Sequence, residues 1–160
     1  MSCDVAAAAF LFLASAGPGP ATPVLRIDAP AAAISPLARE PLFADIIKRA
    51  AMLKADTESY RKQTSAASGA PLILPRFDDF QTRIAALSDL DMQGHLDLAK
   101  RGTDGDLKCI LRGISQDLPK KLADLTAAKT APDQDQALRD MSYLLNDNVE
   151  VITAPPAPPV

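Results

Sequence analysis

The sequence predicts an all-α protein: an up-and-down antiparallel bundle of about four helices, with breaks near Ser88 and Pro119. Three observations carry this expectation. Apolar residues recur at steps of three and four over long stretches, which lines them along one helix face; the alternation of a strand is missing from the strongest of these stretches. The hydrophobic content is 48% but aromatics supply only 4% and tryptophan is absent. A core of Leu, Ile and Ala fills helix interfaces better than a sandwich or a barrel. Short links near residues 102 and 130 place consecutive helices side by side. A length of 160 residues fits one domain.

The chain opens with an expected export signal at residues 1–16. Val5 to Ala14 is an apolar run, and Ala14-Ser15-Ala16 offers the small residues of a cleavage site before Gly17. The run departs from the usual pattern in having Asp4, and no Lys or Arg, ahead of it. It falls short of the roughly 20 apolar residues of a membrane span, so no stable span is expected after cleavage. Residues 17–36 read as a Pro/Ala-rich spacer, with Pro18, Pro20, Pro23, Pro30 and Pro36 blocking helix. The bundle itself is expected over 37–153.

Its first helix runs from Pro41 to about Ala66 on the stripe Phe43, Ile46, Ala50, Leu53, Thr57 and Tyr60. Charges of both signs occupy the rest of the surface. Ser68-Gly69-Ala70-Pro71 ends it, and Pro75 closes an apolar link, Leu72-Ile73-Leu74, expected over the end of the bundle.

Phe77 to Arg101 is the second helical region, with the stripe Phe77, Phe80, Ile84 and Leu87. Beyond Ser88 the register divides. Unbroken, it places Asp91, His95 and Leu98 inside; a restart capped by Ser88 instead buries Met92, Leu96 and Ala99. Arg101-Gly102 forms a terminus, a cation followed by a residue free to turn left-handed.

Two further segments follow. Leu107, Leu111, Ile114, Leu118, Leu122 and Leu125 make one stripe; Leu138, Met141, Leu145, Val149 and Ile152 make the other. Thr103 with Asp106, and Thr130 with Asp133, have the spacing of N-terminal caps. Pro119 should kink or break the third helix, because it lacks the N–H that would reach Ser115 and its ring collides with that carbonyl. Residues 154–160 are expected to be a Pro-rich disordered tail.

The candidate chemistry is sparse. The single histidine, His95, lies one turn after Asp91, so the two could place a nitrogen and an oxygen on one metal, but two ligands do not complete a site. A bundle haem would take His95 with Met52 or Met141 as axial ligands, although both methionines also fit an ordinary core. Cys109 is the one cysteine left after signal removal; burial beside Leu107 and Leu111, an intermolecular disulfide, or a reactive thiol are its readings. No phosphate loop, nucleophile elbow or zinc-protease motif occurs. A net charge of −3 gives no basic field for nucleic acid.

These features point to a small exported (periplasmic or secreted) bundle that binds another macromolecule, with a protein as the expected partner, self-association as a variant, and no cofactor. The alternatives are a metal- or haem-binding carrier using His95 and a thiol-dependent activity at Cys109.

Overall fold

All four expected helices form in the computed structural model, which describes residues 35–102 and 105–154. After a single 3₁₀ turn at Pro36–Arg39 come α1 (Pro41–Thr64), α2 (Phe77–Arg101), α3 (Gly105–Ala127) and α4 (Ala131–Thr153). No strand occurs among the described residues. The signal segment, nearly all of the spacer, Thr103 and residues 155–160 lie outside them. Ser35 and Pro36, assigned to the spacer by sequence, belong to the fold: the Ser35 N–H donates to Thr153 O at 3.0 Å, and its hydroxyl accepts from Leu37 N.

The stripes set the packing. Phe43, Ile46, Ala50, Leu53 and Tyr60 of α1 are buried with Phe80, Ile84, Leu87 and Leu98 of α2, Leu107, Leu111, Ile114, Leu118 and Leu125 of α3, and Leu138, Met141, Leu145 and Ile152 of α4. The helices form a ring in which α1 packs on α4 and α2, and α3 on α2 and α4; α2 and α4 stand on opposite corners. Neighbours run antiparallel. Along α1, Lys54 bonds Asn146 while the later Thr64 bonds the earlier Asp135. Between α2 and α3, Ser88 meets Ser115 and the later His95 meets the earlier Lys108.

The expected breaks at Ser88 and Pro119 do not occur: α2 and α3 each run through. The two residues answer one another. Pro119 leaves the carbonyl of Ser115, four residues back, without its helical donor. The Ser88 hydroxyl, across the interface, donates to that carbonyl at 2.6 Å. A missing bond within α3 is thus replaced by one between helices, which also fixes the register of α2 against α3. With α2 unbroken, its register carries Asp91, Gly94 and Leu98 inward and leaves Leu96 and Ala99 exposed. Gly94 has a packing reason: a Cβ there would lie 3.2 Å from Leu111 Cδ1 and 3.3 Å from Phe43 Cε1. Its missing side chain lets α1 and α3 close on α2.

Of the caps, Thr130 accepts from Asp133 N at 3.2 Å and donates to that carboxylate at 2.7 Å. Gly102 ends α2 with φ 66°, the left-handed conformation expected of it. One described ion pair joins α3 to α4, Lys121 Nζ to Asp140 Oδ2 at 3.2 Å.

Candidate functional site

The residues singled out for chemistry do not converge. Asp91 is fully buried and turned toward α4, where Asn148 Nδ2 donates to its Oδ2 at 2.7 Å. His95, one turn further on, faces α3, with Nδ1 2.7 Å from Lys108 O. The pairing of Asp91 with His95 allowed by their spacing is therefore replaced by two separate partners. Met141 is sealed in the core, while Met52 is 53% exposed on the outer face of α1. Among the described residues no three His, Cys, Asp or Glu side chains cluster to hold a metal. Cys109 is half-buried rather than fully buried, because it falls between the turns of the Leu107/Leu111 stripe, and its sulfur is not free.

Burial pushes the Asp91 carboxyl up to about 8, against the opposing pull of the Asn148 amide. Its Oδ1 and the Asn148 Oδ1 are both buried without a hydrogen-bond partner among the described residues. This group lies inside the bundle, out of reach of a substrate.

What the surface does present is the link between α1 and α2. Residues 65–76 cross one end of the bundle and are held at three points. Ala131 N donates to Gly69 O at 2.9 Å. The Gln134 side chain takes Leu72 N on Oε1 at 2.8 Å and gives Nε2–H to Leu72 O at 2.9 Å, as a neighbouring strand would. Tyr60 donates its hydroxyl to Pro75 O at 2.7 Å. Burial, and then the nearby Asp56 carboxylate, raise the Tyr60 hydroxyl above its ordinary value, so it stays a donor.

In this extended stretch successive side chains point to opposite sides. Leu74 drops into the core at 7% exposure, Leu72 is at its edge, and Ile73 stands out at 98%. The apolar triplet expected to cover the bundle end therefore does so only with Leu74. Arg76 then adopts a left-handed backbone with φ 54°, which costs a non-glycine residue roughly 1–2 kcal/mol. Strain of this kind persists where the surroundings impose it, and it concentrates at functional positions.

Beside Arg76 a groove opens along the seam of α1 and α2, the most sparsely packed of the four seams. A hollow of about 460 Å³ is lined by Met52, Tyr60, Pro75, Arg76 and Arg83 among others. A second, of about 230 Å³, continues past Met52 and Arg83 to Asp45 and Lys48. The groove's arginines are already matched, while Lys48 makes no ion pair among the described residues. Arg83 reaches Asp56 at 2.7 Å and Asp79 at 3.0 Å, and Arg76 reaches Asp79 at 3.2 Å. Charges neutralised in pairs suit a mixed polypeptide surface better than a polyanion.

Sequence reasoning did not single out Ile73, Arg76, Gln134 or Asn148. Only the Pro71 and Pro75 brackets around the triplet hinted that it was a fixed link. No helix among the described residues is long and apolar enough to cross a membrane. Comparisons with protein-family models, curated proteins and solved structures gave no match for this chain.

Proposed function

We propose that this protein is an exported, non-catalytic binding module that docks a partner protein with the α1–α2 link and the adjoining groove. The observation that carries the reading is Ile73: an isoleucine 98% exposed on a link whose backbone is fixed at Gly69, Leu72 and Pro75. An apolar side chain on a backbone already fixed loses little backbone entropy on binding, which is how an interface anchor gains affinity. Leu72, Met52 and the paired charges of Arg76 and Arg83 supply an apolar centre with a polar rim. Export is supported by the apolar run Val5 to Ala14 and the small residues after it.

Site-specific photo-crosslinking tests the reading. With the probe at position 73 and the chain expressed in its own cells, we expect one protein adduct of defined mass, absent when the probe replaces Lys120, exposed on α3. Equal labelling at the two positions, or none at position 73, would reject the docking site.

A further inference from the structure

The most unusual group in the core is the pair joining opposite corners of the ring. Asp91 on α2 and Asn148 on α4 are both 0% exposed. They are joined by one hydrogen bond, Asn148 Nδ2 to Asp91 Oδ2 at 2.7 Å. The other oxygen of each, Oδ1 in both cases, has no partner among the described residues. With Asp91 ionised, both orphans are acceptors and neither can satisfy the other. An unpaired carboxylate buried in this way is among the costliest arrangements a core can hold.

Among the described residues no nearby charge relieves it. On α2, His95 is turned to Lys108 O and Asp89 is exposed. On α3, Lys108 is only half-buried and Arg112 is exposed. On α1, Lys48 and Arg49 are exposed and Lys54 bonds Asn146 at 2.6 Å. On α4, Asp147 and Glu150 are exposed. What acts on the carboxyl is burial and the Asn148 amide.

One proton resolves both orphans. On Asp91 Oδ1 it turns that oxygen into a donor for Asn148 Oδ1, beside the bond already made. A carboxylic acid and a primary amide are planar forks of the same shape, so the two bonds run antiparallel in a single ring. We propose that Asp91 is a neutral acid in the folded protein, closed in such a ring with Asn148, and that loss of its proton loosens the α2–α4 diagonal, so that the bundle is tight in acidic and neutral medium and opens in alkaline medium. This inference rests on the core alone and is independent of the docking surface.

The sign follows from the proton count. Free aspartate titrates near 3.8, and the buried group near 8. Between those values the folded state holds one proton more than the unfolded state. Stability therefore falls as pH rises through this window and levels off above it.

The test compares urea unfolding of the full chain with that of Asp91→Asn across the pH range. Asparagine at position 91 can form the same ring with Asn148, amide to amide, without a titrating proton. Other groups titrate alike in both proteins and cancel in the ratio. We expect the folding constant of Asp91→Asn, relative to the native chain, to rise by up to about tenfold per pH unit through the window and then to plateau. A flat ratio, or one that falls with pH, would overturn the proposal. Should the variant fail to fold, the carboxyl ¹³C shift of Asp91 in the native chain decides: a protonated acid at neutral pH upholds the ring, and an ionised one overturns it. Amide exchange at the centres of α2 and α4 should also quicken above the window, beyond the intrinsic base-catalysed rise; no excess would overturn the loosening.

Discussion

Phe80→Ala should destabilise the protein by about 3–5 kcal/mol, the range for truncating a fully buried phenylalanine. Phe80 is 0% exposed and holds the end of the bundle that carries the α1–α2 link. Its ring stands edge-on to Tyr60, with centroids 5.4 Å apart, and stacks with Phe77 at 6.1 Å. The loss extends beyond area, because Tyr60 is the residue whose hydroxyl fixes Pro75. Urea unfolding should show the fall in midpoint, and amide exchange should show the 72–76 segment opening more readily than the centre of α3. A cost below about 1 kcal/mol would mean that this end collapses around the void, contrary to the packing described.

Ser88→Ala should cost about 1–3 kcal/mol, more than an ordinary half-buried serine, because it strands the Ser115 carbonyl that Pro119 has already deprived of its helical donor. A double-mutant cycle isolates the cause. Pro119→Ala restores an N–H to α3, so in that background the loss of the Ser88 hydroxyl should be milder, with a coupling on the order of 1 kcal/mol. Strict additivity would show that the 2.6 Å contact does not substitute for the missing helical bond.

These two cases mark how far the sequence could be read. Periodicity is local, and it identified the buried faces well. The stripe from Phe43 to Tyr60 is buried as expected, as are Phe80, Ile84 and Leu87, with Phe77 only partly buried, and α2 ends where Arg101-Gly102 predicted. Propensity is local too, and it failed where the compensation is not. Ser88 and Pro119 each favour a break taken alone; their partnership spans two helices and has no signature in either one. Asp91 shows the same limit. Helical spacing offered it His95, but an unbroken α2 turns it inward to Asn148, on a helix that it does not follow in sequence. The candidate site was least legible. Leu72-Ile73-Leu74 reads as one apolar unit, and only the Gln134 clamp decides which of the three faces out.

In its own cells the chain should carry a partner protein bound through Ile73. A native mass spectrum of protein purified from that source without reductant, alongside an Ile73→Asp variant, addresses it. Ile73 is almost wholly exposed, so the variant should unfold within about 0.5 kcal/mol of the native chain. The account predicts a complex with a second protein chain for the native form and its loss in the variant. A bare monomer in both, or a mass excess matching haem or a metal ion, would contradict it and return attention to His95.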